Sequence, residues 1–216
     1  MEQDYWRTRW DEGRTGWHEI EGTPALVRHL ARLELGPGRR VLVPLAGKSH
    51  DLAVLGATGA EVVGVELVED AALAFFIEHG ISPERAVVHG RPVLRAGALH
   101  IVCGDFFAES PATIGLFDAV FDRAALVAMP PALRPRYAGT VRRLARPGAP
   151  MLVVTFEHDA GGDEPPFSVV PAELPTLYPG VSFEPLEERE AFDAKGGLAA
   201  RGATFTRERA FLARLG

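Results

Sequence analysis

The sequence predicts an α/β fold of the doubly wound kind, a mostly parallel seven-stranded sheet with helices on both faces, and three observations carry that prediction. From Val41 onward, short apolar β-rich runs alternate with longer helix-compatible stretches, the order that crossover connections between parallel strands require. The runs are nearly continuous in apolar residues, as expected of strands covered on both faces. An acidic residue, Glu66, ends the second run, about 20 positions beyond the loop that follows the first, where such folds carry a ribose-binding carboxylate.

The elements follow in order. Strands are predicted over residues 40–45, 61–66, 99–104, 117–122 and 150–156. Between the first two, residues 49–58 read as a short helix stopped by Gly59. Residues 69–79 form the next helix, with Ala71, Leu73, Ala74, Phe75 and Phe76 apolar and Gly80 as its stop. Residues 82–98 carry Pro83, Gly90, Pro92 and Gly97 and read as a loop or a small hairpin on the edge of the fold. Pro130 and Pro131 mark a helix start, and residues 134–144 continue it until Pro147-Gly148. Residues 159–171, rich in Gly, Pro and Asp, read as a long surface loop. Two further β-like runs, 182–190 and 203–212, are separated by Lys195-Gly196-Gly197. They predict an antiparallel C-terminal pair closing the sheet edge. Upstream, residues 4–20 are rich in Trp and charge and residues 24–33 have helical spacing. The chain is read as one domain, with residues 1–35 an N-terminal helical lid on an α/β core of 36–216.

Composition narrows the ligand. A formal charge of −6 argues against an extended phosphate-binding face and hence against nucleic acid. A small-molecule substrate is the expectation. Cys103 is the only cysteine, so neither an intrachain disulfide nor a multi-cysteine metal site is available, and no metal is expected. The opening Met-Glu-Gln-Asp-Tyr-Trp has no signal-peptide pattern, and no run approaches the ~20 apolar residues of a membrane span. These features predict a cytoplasmic protein with no membrane partner, and a monomer is expected.

Doubly wound sheets bind ligands outside the carboxyl ends of their strands. The first strand ends in Val43-Pro44-Leu45-Ala46-Gly47-Lys48-Ser49, which is neither a full G-x-G-x-x-G nor a phosphate loop. A cofactor without phosphates needs fewer backbone N–H groups there, which points away from a nicotinamide dinucleotide. Glu66 is positioned to accept from ribose hydroxyls; a solvent-facing strand-end carboxylate is the alternative. After the third strand, Asp105 suits an exocyclic amine and Phe106 a purine face, unless Asp105 caps the next helix and Phe106 and Phe107 are core. The fourth strand ends in Phe121-Asp122-Arg123. Arg123 offers a rigid cation to a cofactor carboxylate, an anionic substrate or a thiolate, with Asp122 as its local partner; a structural ion pair is the alternative.

Taken together these residues resemble one family. Trp6 to Gly13 with Gly16-Trp17-His18, then the 40–49 segment with Pro-Leu-x-Gly-Lys-Ser, then Val62-Val63-Gly64-Val65-Glu66, are similar to the thiopurine S-methyltransferase family. Gly104-Asp105-Phe106-Phe107, the 117–127 segment with Asp-Arg-x-Ala-Leu-Val, and Pro165-Pro166-Phe167-Ser168-Val169 fall where that family has them. The resemblance runs from about Tyr5 to Pro171 and fades afterwards. Ala46 stands where the family usually has cysteine, and Trp17 where it commonly has phenylalanine.

The resemblance implies a Rossmann-like class I methyltransferase with S-adenosylmethionine as cofactor. It places Trp10, Leu45, Glu66, Phe106 and Arg123 around that cofactor, with Trp10 covering it from the lid, and the strand-end readings add Gly47 and Asp105 as cofactor-binding candidates. The implied reaction carries the sulfonium methyl group to an aromatic or heterocyclic thiol. A thiol near neutral pH is partly thiolate, so positioning does most of the work. Arg123, held by Asp122, favours the acceptor anion, and Trp17 reshapes the acceptor pocket. From its place in the loop after the fifth strand, Pro165-Pro166-Phe167 reads as an apolar wall for a flat acceptor ring or as a stiff linker, and Trp10 and Trp17 as ligand contacts or as the packing face of the N-terminal cap. His18 reads as a surface histidine. The rival readings are a methyltransferase for small thiols, halides or metalloid oxyanions, a cofactor-binding module without turnover, and a nicotinamide-dependent oxidoreductase.

Overall fold

A computed structural model describes residues 3–13, 22–194 and 196–216. Its centre is a mixed sheet built on five parallel strands: β1 (Arg40–Pro44), β2 (Glu61–Glu66), β5 (Leu99–Cys103), β6 (Ala119–Arg123) and β7 (Pro150–His158). β1 pairs parallel with β2 on one side and with β6 on the other. The winding therefore reverses at β1, and the crevice outside its carboxyl end is the ligand position of this topology.

Side chains alternate across these strands and divide the core in two. Val41, Val43, Val62, Phe121 and Leu152 pack with Leu26, Leu52, Leu55, Phe75 and Phe76. The latter belong to α2 (Pro24–His29), α3 (Asp51–Gly56) and α4 (Glu69–Glu78). Leu42, Val63, Val120, Met151 and Val153 face the other way, onto Leu126, Tyr137, Val141 and Leu144 from α6 (Ala125–Ala128) and α7 (Arg134–Leu144). The period of two is what a strand buried on both faces requires. α5 (Pro111–Ile114) is one turn between β5 and β6, and α1 (Gln3–Asp11) precedes the core.

Among the described residues the sheet has nine strands, not seven: with β3 (Glu84–Val88), β4 (Arg91–Ala96), β8 (Phe183–Glu190) and β9 (Thr206–Arg214), the order is β3-β4-β5-β2-β1-β6-β7-β9-β8. The two additions are β3 and β4, so the hairpin reading of residues 82–98 holds and the loop reading does not. Gly90 sits at the turn, where His89 and Gly90 both have positive φ, 47° and 77°, as a two-residue type I′ hairpin needs, whereas Pro92 lies within β4, paired with Val87. β3 is largely exposed, so it lacks the apolar run that marks the interior strands.

At the opposite edge, β9 (Thr206–Arg214) lies between β7 and β8 (Phe183–Glu190) and is antiparallel to both. β8 is thus the outermost strand, and Glu184, Glu187, Glu188, Arg189 and Glu190 crowd it with charge, which discourages edge-to-edge pairing. Between β7 and β8, the segment before Pro171 returns to the body of the fold: Phe167 N donates to Val127 O at 2.7 Å and Val169 N to Phe156 O at 2.9 Å. Among the described residues no helix is long and apolar enough to cross a membrane.

Candidate active site

The site begins where β1 stops. Leu45 and Gly47 take positive φ, 49° and 53°, a conformation uncommon for a bulky residue such as leucine and found where local strain serves a site. The turn is held by Ala46 N donating to Val65 O at 3.0 Å. It lies so close to β2 that a Cβ on Gly64 would meet the Ala46 Cβ at 2.9 Å. Glycine in Val-Val-Gly-Val-Glu is therefore a packing requirement of the loop. A Cβ on Gly47 would approach the Trp10 ring at 3.1 Å, so α1 reaches over this turn.

Glu66 closes β2 beside that loop and is 7% exposed. Its Oε2 accepts from Gly47 N at 2.8 Å and its Oε1 from Val68 N at 2.8 Å. Burial raises its carboxyl above the ordinary range, opposed by the backbone amides of Val68, Gly47 and Leu67. Each carboxylate oxygen has two acceptor positions. The three amides leave one of these positions for a hydroxyl from the crevice. The solvent-facing alternative for Glu66 is excluded.

Asp105 is exposed and accepts from Phe107 N at 2.9 Å, capping the single 3-10 turn of residues 106–108. Phe106 is buried, its ring 5.4 Å from that of Tyr137. The cap-and-core alternative thus describes both residues, although both also border the crevice. Phe107 carries the Arg136 guanidinium 4.4 Å above its ring.

Arg123 ends β6, and Ala124 after it is left-handed at φ 65°. The expectation that Asp122 holds the Arg123 guanidinium is corrected. Asp122 is fully buried and accepts from Tyr137 Oη at 2.8 Å and Leu126 N at 3.3 Å. Consecutive strand residues point to opposite sides, so Arg123 borders the crevice and Asp122 does not. Burial pushes the Asp122 carboxyl up to about 6, against those two hydrogen bonds.

These residues enclose a cavity of about 350 Å³ that brings together Trp10, Leu45, Gly47, Glu66, Asp105, Phe106, Arg123 and Pro166. A second cavity of about 590 Å³ adjoins it, sharing Arg9, Arg123, Ala124, Val127, Pro165 and Pro166. Phe167 borders neither; its backbone is tied to Val127, and Pro165 takes the expected wall position beside Pro166. Trp17 and His18 lie outside the described residues. Trp6 and Arg9 were not anticipated as wall residues, yet they stand at i−4 and i−1 from Trp10 on α1, and the i, i+3, i+4 spacing was available as a signal. His158 was also missed. Ala160 N donates to its Nδ1 at 3.1 Å, which leaves Nε2 to donate to Pro166 O at 2.9 Å. Burial lowers its pKa, and the neutral ring steadies the Pro165-Pro166 wall.

Residues 1–214 match the family profile described as Thiopurine S-methyltransferase. The chain belongs to that family. The match extends past Pro171, where the likeness of individual motifs fades, and so takes in β8 and β9. Relatives named thiopurine S-methyltransferase include those of Pseudomonas paraeruginosa, 38% identical over all of both chains, and Xanthomonas campestris, 40% identical over 94% of each. A relative of the same name from Bordetella parapertussis is 41% identical over 94% of this chain and 93% of its own. Among solved structures, a Burkholderia thailandensis 1,6-didemethyltoxoflavin-N1-methyltransferase with bound S-adenosylhomocysteine superposes with a TM-score of 0.66 at 21% identity, over 99% of this chain and 86% of that one. TehB from Haemophilus influenzae gives 0.60 at 14% identity, over 99% and 67%. The fold is that of class I methyltransferases. As a member of the thiopurine S-methyltransferase family, the protein is an S-adenosylmethionine-dependent methyltransferase.

Proposed function

We propose that the protein methylates an aromatic or heterocyclic thiol, with the cofactor in the smaller cavity and the acceptor in the larger. The observation that carries this reading is Arg123, one side chain that borders both cavities. The smaller cavity suits the cofactor by its donor set: a buried carboxylate, Glu66, with an acceptor position left for a ribose hydroxyl, beside the apolar faces of Trp10, Leu45 and Phe106. Bound there, S-adenosylmethionine supplies an electrophilic sulfonium methyl group.

The protein's part is mostly positioning. Glu66 holds the ribose and keeps the Gly47 turn in place, while Asp105 and Phe106 flank the base. Trp10 closes the cavity from α1, acting as a lid that keeps water from the reacting atoms. Arg123 favours the acceptor as its thiolate by lowering its pKa, the thiol proton passing to solvent. Pro165 and Pro166 form a stiff apolar wall against a flat ring. An aligned thiolate needs no dedicated base, which agrees with Asp122 being turned away from the crevice.

Titration with S-adenosylhomocysteine and turnover with a labelled methyl donor test the two halves of this reading. Binding of the homocysteine product together with methylation of 6-mercaptopurine or thiophenol is the expected result. Methylation confined to selenite, iodide or a small alkyl thiol would transfer the assignment to a different acceptor class. Tight binding without release of S-adenosylhomocysteine for any acceptor would make the protein a cofactor-binding module.

A further inference from the structure

The far wall of the larger cavity holds two polar side chains that the reading above does not use. Thr206 and Glu208 both border it, from alternate positions of β9. Alternate residues share one side of a strand about 7 Å apart. Thr206 is 2% exposed, yet its Oγ1 has no hydrogen-bond partner among the described residues. Buried hydroxyls are normally bonded, and an orphan is costly compared with valine, which has almost the same shape. Glu208 is 7% exposed, and Arg189 Nε from β8 donates to its Oε1 at 2.7 Å.

We infer that Thr206 and Glu208 form a selectivity wall that recognises nitrogen-heterocyclic acceptors by hydrogen bonds to a ring N–H and a ring acceptor atom. An ionised carboxylate only accepts, whereas a hydroxyl donates or accepts. The pair therefore matches a ring that offers a donor to Glu208 and an acceptor to Thr206. A plain aryl thiol offers neither. Arg189 holds the Glu208 carboxylate in place through that hydrogen bond, which makes it a positioning residue. The inference rests on the larger cavity being the acceptor site.

Thr206→Val tests it, because the substitution removes the orphan hydroxyl and leaves the shape of the wall. With 6-mercaptopurine, KM is expected to rise roughly tenfold, the loss of one neutral hydrogen bond, while kcat holds. With thiophenol, both constants stay as in the unaltered protein, and the melting temperature is unchanged or higher. Glu208→Gln shifts the same selectivity ratio, and its KM effect is likewise confined to the heterocycle. Equilibrium binding of hypoxanthine to the S-adenosylhomocysteine complex supplies a readout independent of turnover, with about tenfold weaker binding expected for Thr206→Val. Equal changes for both acceptors, an unmoved ratio, or absence of hypoxanthine binding would overturn the inference. S-adenosylhomocysteine titrations separate the failures. If the homocysteine binds and the ratio is unmoved, only the wall is wrongly assigned; if it does not bind, the functional reading falls with it.

Discussion

The two cavities meet at Arg123 but are built differently. The smaller one is braced by main chain: Gly47 and Val68 amides grip Glu66, and Ala46 bonds to Val65 across adjacent strands. The larger one is walled by side chains from β7, the 164–166 segment, β8 and β9, and it holds an orphan hydroxyl. A wall made of backbone contacts fixes one ligand shape. A wall made of separate side chains changes its preference by single substitutions without disturbing the other cavity, and this is the arrangement an enzyme needs to keep its cofactor while varying its acceptor.

The largest expected effect tests the braced side. Glu66→Ala removes the proposed ribose contacts and orphans the amides that Glu66 accepts from, each costing about 1–3 kcal/mol. S-adenosylhomocysteine affinity, measured by calorimetry, should fall on the order of a thousandfold. An unchanged affinity would mean that Glu66 braces the loop and holds no ribose.

Asp122 lies beneath the junction, and its effect is on stability. Its folded pKa of about 6 lies above the ordinary 3.8. A raised acid pKa gives stability that is complete below 3.8 and is lost as pH rises through 6. The loss amounts to about 3 kcal/mol at neutral pH. In Asp122→Asn the amide donates to Tyr137 and the carbonyl accepts from Leu126, so this pH dependence should disappear. Urea unfolding at pH 5 and pH 8 measures it, and equal slopes for both proteins would contradict the assignment.

Arg123→Ala separates the two sides most directly. Losing charge-assisted bonds to an acceptor thiolate should lower kcat about thirtyfold, with S-adenosylhomocysteine affinity within about threefold of the original. If affinity falls and kcat does not, Arg123 belongs to the cofactor side alone. The smallest effect is Gly64→Ala, whose Cβ collides with Ala46. It should cost about 1–3 kcal/mol of stability and lower the melting temperature by several degrees, with weaker cofactor binding and little change in acceptor preference.

What was legible in the sequence follows the same division. Glu66, Leu45 and Gly47 were readable because a strand end, a glycine and a spacing are local features. Gly64 is readable in hindsight for the same reason. The Asp122–Arg123 pairing failed because adjacency along a strand means separation across it. Thr206 and Glu208 had no local signal: they become a wall only when β8 and β9 fold back beside β7. β3 and β4 escaped the strand count because glycines at their turns and Pro92 within β4 outweighed a thin apolar pattern.

The position of β9 has a consequence for how the molecule comes into being. β8 is synthesised first, but among the described residues its one neighbour in the sheet is β9, which follows it and lies between it and β7. Everything that grips Glu66 is translated long before β9. The residues proposed to hold the methyl donor have therefore all been made while the wall proposed to judge the recipient is still untranslated.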